Sequence, residues 1–416
     1  MMKKKKLGWL SAILFSGALI LGACSDDSSG DEGTDSTSSG DDTIQVWTMS
    51  ADFDKFVAEF EDESGINVEV QTIPWGNVHD KLLTAVASGK GPDVIQIGTT
   101  WVAEFAEAGT FLDLTDHIAD YPNLNPDNFF DAAVESTQYN GQTVGIPWYV
   151  DTRLLFYRTD LLAEAGYPEG PETWDDFLDA ATQLTARGDD QYGVDISQGD
   201  PQFPFMLAWE RGFKYDEAKG SANFEDPAFV DAVKLHNQFF KDDLAQLTEG
   251  KELYQAFSDG SKPMFFSGPW EINSINTQIP ELEGKWDVHV MPKAENNNSM
   301  IGGSHLGIFH NSDNVEGSLK FIDWMADPET QIKWFENIKE LPANTTAWEN
   351  PVLADDPMIA TFGEQLESTQ AVPVIPEFEK LAQELIKTLE QINHGGADID
   401  ASLADFRSEA ARILGE

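Results

Sequence analysis

The sequence contains very little cysteine. Of its 416 residues one is a cysteine, Cys24, so no disulfide can form within the chain and core burial alone must hold the folded protein together. The chain also lacks the HExxH pattern of zinc peptidases and the GxSxG turn of serine hydrolases. His305 and His310 are poorly spaced for a helical metal pair. We therefore predict no enzymatic activity, no metal and no cofactor.

Positive charge is also scarce. Lysine and arginine number 26 against 73 acids, which gives a formal net charge of −47. Without the first 42 residues, which carry four lysines and seven acids, the charge is −44. A surface this acidic repels nucleic acid and anionic lipid headgroups. The charge fits a protein adapted to a saline or alkaline exterior, or simply a solvated face, and it identifies no ligand.

The first residues are typical of an export signal. Four lysines at 3–6 precede an apolar run over 7–21, which is the plan of a secretory signal peptide. A retained membrane span is the alternative, but the run is close to the lower length limit. Leu21-Gly22-Ala23-Cys24 resembles a bacterial lipobox, in which the cysteine after the cleavage site is acylated. We predict a signal peptide over 1–23 and lipidation of Cys24, with a buried free thiol as the other reading.

Residues 25–42 have no apolar side chain large enough to form a core. Such a segment cannot offset the entropy cost of ordering, and its acids repel one another. We expect 24–42 to be a disordered acidic tether between the lipid and a folded protein that begins at residue 43.

From residue 43 the pattern alternates between strands and helices. Ile44 to Trp47, residues 66–70 and residues 94–97 read as strands, and helical spacing of apolar residues separates them. This order predicts parallel pairing and an α/β sheet. Ligands of such sheets bind at the carboxyl ends of the strands, so residues 47–52 and 98–101 should face a binding site.

Several motifs resemble those of the extracellular solute-binding proteins of ATP-driven sugar importers, the family that includes maltose-binding protein. They occur in the family's order and span the chain from residue 43 almost to its end. The motifs are Trp47-Thr48, Gly91-Pro92-Asp93, Gly145-Ile146-Pro147 with Asp151 and Leu155 to Leu162, Gly268-Pro269-Trp270, Gly302-Gly303-Ser304, and Leu341-Pro342-Ala343-Asn344.

This resemblance implies a two-lobe periplasmic-binding-protein-like fold of type II, with the ligand cleft between lobes that close by a hinge motion. We place the N-terminal lobe at 43–150 plus 305–342, and the C-terminal lobe at 151–304 plus 343–416. It also implies an oligosaccharide ligand and a permease of the ABC transporter class as partner. We further expect a monomeric protein, and the lipobox at Cys24 predicts a location on the outer face of the membrane.

A sugar site needs flat aromatic rings for the C–H faces of the sugar and polar side chains for its hydroxyls. Trp270 with Glu271 is the strongest candidate, since the resemblance places a stacking ring there. Strand ends, crossovers and loops supply the others, and Tyr149 is preferred to Trp148 at one alternating position. The complete set is Trp47, Asp52, Trp75, Thr100, Trp101, Tyr149, Asp151, Arg153, Phe203, Trp209, Glu210, Trp270, Glu271 and His305.

Other tryptophans are expected to be structural. Trp324 and Trp334 lie on apolar helices, and Trp174 follows a predicted helix cap at Thr173. Two other functions stay open: an exported receptor for a polyamine or peptide, which an acidic cleft would suit, and a secreted glycosidase, which would also place acids beside aromatic rings.

Overall fold

The structure, a computed structural model, describes residues 42–248 and 250–416. The predicted signal peptide, the lipidation site at Cys24 and nearly all of the predicted tether lie outside the described residues. The strands are β1 Thr43–Thr48, β2 Asn67–Thr72, β3 Val94–Gly98, β4 Gln138–Tyr139, β5 Gln142–Thr143, β6 Ile146–Asp151, β7 Leu154–Arg158, β8 Met264–Ser267, β9 Trp286–His289, β10 Ser299–Met300, β11 Gly302–Ile308, β12 Leu341–Pro342 and β13 Thr369–Gln370.

Helices surround these strands. They are α1 Phe53–Phe56, α2 Ala58–Ser64, α3 Trp75–Ser88, α4 Val102–Glu107, α5 Asp131–Glu135, α6 Thr159–Glu164, α7 Trp174–Thr185, α8 Phe203–Trp209, α9 Pro227–Lys241, α10 Leu253–Asp259, α11 Trp270–Gln278, α12 Val315–Ala326, α13 Pro328–Ile338, α14 Pro351–Ala354, α15 Pro357–Leu366, α16 Phe378–Asn393 and α17 Ile399–Ile413.

The larger sheet has six strands in the order β12-β6-β11-β3-β1-β2. β1 pairs in parallel with β2 and β3, as the strand–helix–strand pattern predicted, and the apolar run of β3 is buried throughout. β11 is antiparallel to β3 and β6, and β12 is antiparallel to β6. The predicted mixed α/β architecture is therefore confirmed, with an antiparallel half that the local pattern did not reveal.

A second sheet has three strands in the order β8-β7-β9, and β4-β5 and β10-β13 form two-stranded sheets. β7 follows β6 after only Thr152 and Arg153, so the chain passes here from one sheet to the other. β7 is buried on both faces: Leu154 and Phe156 face one core cluster, and Leu155 and Tyr157 face the next. The two-lobe fold follows from this arrangement, while the lobe boundaries given above remain predictions.

Local sequence signals account for several helix ends. Thr173 and Asp176 form a reciprocal capping box at the start of α7, and Asp226 caps α9 before its first-turn proline. α16 and α17 are separate helices on either side of residues 394–398, a segment that contains Gly395-Gly396. The helical segment between β1 and β2 consists of two short helices, α1 and α2, that meet at Val57.

Candidate ligand-binding cleft

A cavity of about 430 Å³ lies where β6, the start of α11 and the end of α13 meet. This size suits a small organic ligand. Four predicted site residues line it: Trp75, Tyr149, Asp151 and Trp270. The other lining residues are Val150, Pro269, Asn273, Ser274, Ile338, Lys339 and Glu340.

Two tryptophans expose their rings in this cavity. Trp75 is 43 % exposed and Trp270 is 45 % exposed, and in the described part of the chain only Leu83 joins them as an exposed large apolar side chain. The ring of Trp270 lies over Gly268, where a β-carbon would come within 2.3 Å of it. The Gly268-Pro269-Trp270 turn therefore needs glycine at its first position so that the ring can lie against the backbone.

An ion pair stands beside Trp270. Arg153 Nη1 donates a hydrogen bond of 2.8 Å to Asp151 Oδ1, and the guanidinium carbon lies 4.9 Å from the centroid of the Trp270 ring. Burial raises the pKa of the Asp151 carboxyl, and the charge of Arg153 offsets part of that rise. Gly302 on β11 leaves room for this carboxylate, because a β-carbon there would lie 2.5 Å from Oδ1.

Glu271 forms hydrogen bonds with Trp270 and with two neighbouring hydroxyls. Its carboxylate accepts hydrogen bonds from the Trp270 indole N–H at 3.1 Å, the Ser267 hydroxyl at 3.1 Å and the Tyr254 hydroxyl at 2.8 Å. The side chain is buried and outside the residues that line the cavity. Its contacts orient the ring that faces the cavity.

Tyr149 is buried and reaches the cavity from β6. Its hydroxyl accepts hydrogen bonds of 3.2 Å from Gln96 Nε2 and Ser304 Oγ, so the polar end points into the six-stranded sheet. Burial raises the pKa of this hydroxyl well above its usual value, and the phenol stays neutral. Its neighbour Trp148 packs in the core against Phe53, as expected from strand alternation.

The ring of Trp101 packs against the ring of Trp75. The two ring centroids are 5.5 Å apart with the rings tilted, and the His79 ring packs edge-on against Trp101 with its centroid 5.3 Å away. Thr100 precedes it in the short helical turn after β3 and is half-buried. Trp47 is half-buried, with the ammonium of Lys81 3.9 Å from its ring centroid. Among these, only Trp75 belongs to the cavity lining.

The structure places Phe203, Trp209 and Glu210 in the core of the region formed by α7, α8 and α9 rather than at this cavity. The reason is that every side chain of α8 is buried, so the helix has no face toward solvent. Glu210 accepts a hydrogen bond from the Trp174 indole N–H, and burial raises its pKa well above the usual value.

His305 and Asp52 also lie outside the cavity lining. His305 is buried in β11 with its Nε2 atom 2.9 Å from Ser136 Oγ, and burial lowers its pKa to about 3. The ring is therefore a neutral packed side chain. Asp52 is exposed, precedes α1 in a left-handed conformation and pairs with Lys55.

Comparison with known proteins identifies the family. The model of the bacterial extracellular solute-binding proteins matches residues 47–332. The chain belongs to this family. A solved structure of the sugar-binding protein MalE from Xanthomonas citri is 31% identical in sequence and superimposes with a TM-score of 0.85, covering 90% of this chain and 97% of that one.

Two curated relatives of this solute-binding protein are also similar over most of their length. The arabinooligosaccharide-binding protein of Halalkalibacterium halodurans is 25% identical, over 74% of this chain and 71% of the relative. The galactooligosaccharide-binding protein of Bacillus subtilis is 25% identical, over 86% of this chain and 85% of the relative. These relatives are binding proteins, as the family description states.

The structure adds cavity residues that sequence reasoning missed. Glu340 directly precedes the Leu341-Pro342 motif, and Asn273 and Ser274 lie one helical turn after Trp270. Spacing of three and four residues on a helix puts side chains on one face, so the stacking ring was itself a signal for Asn273 and Ser274. The signal for Glu340 was its position at a family crossover.

Residues 42–248 and 250–416 contain no helix long and apolar enough to cross a bilayer. The same residues hold no group of three or more side chains suited to metal ligation.

Proposed function

We propose that this solute-binding protein captures an oligosaccharide in the cleft lined by Trp75 and Trp270, closes its lobes and delivers the sugar to an ABC permease. The exposure of these two rings in one cavity carries the proposal. Exposing the large apolar surface of a tryptophan ring to water is unfavourable in free energy. A ring face is also the surface on which the C–H face of a sugar packs. Asp151, Arg153 and Asn273 supply acceptors and donors for hydroxyls beside those rings.

The relatives support this ligand class, because two of them are named for binding oligosaccharides. The connection between the two sheets supports closure of the lobes. Only Thr152 and Arg153 join β6 to β7, next to the cavity. A short connection of this kind can act as a hinge when the lobes move as rigid bodies.

We further propose that the protein acts as a monomer on the outer face of the membrane, held by a lipid on Cys24 and the tether that follows. A diffusing receptor would leave its permease, whereas an anchored one stays within reach. We propose no catalytic role for the cleft, whose two exposed rings and hydrogen-bonding side chains suit binding.

The alternatives are a receptor for a polyamine or peptide and a glycosidase. Asp151 is already paired with Arg153, and Glu340, the other carboxylate of the cavity, has a pKa raised to about 7, so both are less suited to a cationic ligand than free carboxylates would be. Calorimetry of the purified protein against maltotriose, galacto-oligosaccharides, arabino-oligosaccharides and spermidine tests the choice. We expect one of the sugars to bind. Binding of spermidine with none of the sugars would refute the proposal, and hydrolysis of a bound sugar would favour the glycosidase.

A further inference from the structure

Glu340 lies at the point where the chain leaves α13 and enters β12. In the antiparallel pairing of β12 with β6, Leu341 is opposite Val150 and Pro342 is opposite Tyr149. One step back along the same register places Glu340 opposite Asp151. Both residues line the cavity, so two carboxylates face each other across neighbouring strands in the proposed binding site.

These two carboxylates differ in their partners. Asp151 has Arg153 at 2.8 Å. No lysine or arginine of the described residues forms an ion pair with Glu340, and the neighbouring Lys339 instead places its ammonium 4.7 Å from the ring centroid of Phe335. Like charges directly opposite in a sheet repel each other, and here one of the two has no counter-charge.

Neutral donors hold Glu340 in position. The Trp334 indole N–H donates a hydrogen bond of 2.7 Å to Oε2, and the Ser50 hydroxyl lies 3.4 Å from Oε1. A carboxylate has about four acceptor positions, so this arrangement leaves acceptor capacity unused. The chain provides an oriented acid in the cavity with room for further hydrogen-bond donors.

Burial and the charge of Asp151 oppose the ionisation of Glu340, and neighbouring hydrogen-bond donors favour it. Asp151 and the phenol of Tyr149 face it from β6, Trp334 from α13 and Ser50 from the segment after β1. Burial is the largest influence and raises the pKa of Glu340, as does the nearby charge of Asp151, whereas hydrogen bonds with Trp334, Ser50 and Tyr149 offset part of the rise, so that the pKa is about 7.

We propose that Glu340 binds ligand hydroxyls as a carboxylate and loses its proton to solvent when the ligand binds, so that affinity depends on pH. The inference rests on the proposed oligosaccharide-binding function and deepens it. Hydroxyl donors stabilise the charged form, which lowers the pKa of Glu340 in the complex below its value in the free protein.

The ionisation state of Glu340 in the free protein sets the direction in which affinity changes with pH. Above pH 7 the free protein is already ionised at Glu340, and binding releases no proton from it. Below pH 7 the free protein is protonated, and binding must remove that proton. Affinity should therefore fall as pH falls, by at most about tenfold per pH unit for one proton. At pH 7, binding should release about half a proton.

Calorimetry in two buffers of different ionisation enthalpy measures this release. The titrant is whichever of maltotriose, galacto-oligosaccharide or arabino-oligosaccharide binds the parent protein. We expect a proton release of about one half at pH 7, lost in Glu340→Gln and retained in Glu336→Gln, an exposed acid on α13 that serves as the matched control. Binding without proton release would overturn the inference and leave the proposed function intact.

A second measurement needs no ligand. The indole ¹⁵N–¹H resonance of Trp334 should shift with a midpoint near pH 7, because its N–H donates to the titrating carboxylate. The shift should be absent in Glu340→Gln, and bound sugar should move the midpoint to lower pH. A parent protein with no indole titration between pH 5 and 8 would overturn the inference. If no sugar binds, the proposed function and this inference both fail.

Discussion

Replacement of Trp270 by alanine should remove most of the ligand affinity while leaving the protein folded. The ring is 45 % exposed, so a side chain of roughly 250 Å² presents about 110 Å² to the cavity. A sugar face that covers half of this removes about 100 Å² from water, counting both partners. At about 25 cal/mol/Å² the contact contributes about 2.5 kcal/mol, which is roughly a 70-fold loss of affinity in Trp270→Ala.

The same geometry limits the loss of stability. The covered half of the ring contributes about 3 kcal/mol as an upper bound, and we expect the variant to lose about 2 kcal/mol. Residues 42–416 unfold with an entropy of about 0.8 kcal/mol/K, so the melting temperature should fall by about 2–3 °C. Trp270→Ala should therefore be folded at 25 °C, where binding is measured.

Calorimetry with the best-binding sugar and a thermal melt check both parts of this prediction. Leu83→Ala is the matched control, because Leu83 is the third exposed large apolar side chain and lies outside the cavity lining. We expect its affinity to be unchanged. An unchanged affinity in Trp270→Ala would refute the stacking role. A fall in melting temperature beyond about 6 °C would show that the ring acts as a core side chain.

Three further predictions concern the anchor, a helix cap and the cleft. Cys24→Ala should move the protein from the membrane fraction to the soluble fraction on cell fractionation, and continued membrane association would contradict lipidation. Thr173→Ala breaks the capping box of α7 and should cost about 1 kcal/mol of stability, seen as a fall of about 1 °C in melting temperature. Gly302→Ala should weaken sugar binding at least tenfold by displacing Asp151, whereas Gly199→Ala, whose added carbon meets no atom within 4 Å, should bind normally.

Part of the cleft was predicted from local motifs. Trp270 was predicted because glycine and proline before it form a turn of a known family, and Asp151 because it ends a strand at a crossover. Both line the cavity. Trp209 carried a similar local signal, an aromatic ring followed by an acid near a glycine, yet it is buried on α8. In both cases a tryptophan is followed by a glutamate. The packing of the surrounding helices decides that the Trp270 ring is exposed and the Trp209 ring is buried.

The amino-acid sequence by itself determined the order of strands and helices in the first half of the larger sheet, the caps of α7 and α9, and the membership of the family. These depend on residues close together in the chain, where apolar spacing and capping act directly. Only the tertiary structure decided which tryptophans are exposed and that Glu340 stands opposite Asp151. That pairing joins strands about 190 residues apart, and burial and charge at such a contact are set by neighbours that no local pattern contains.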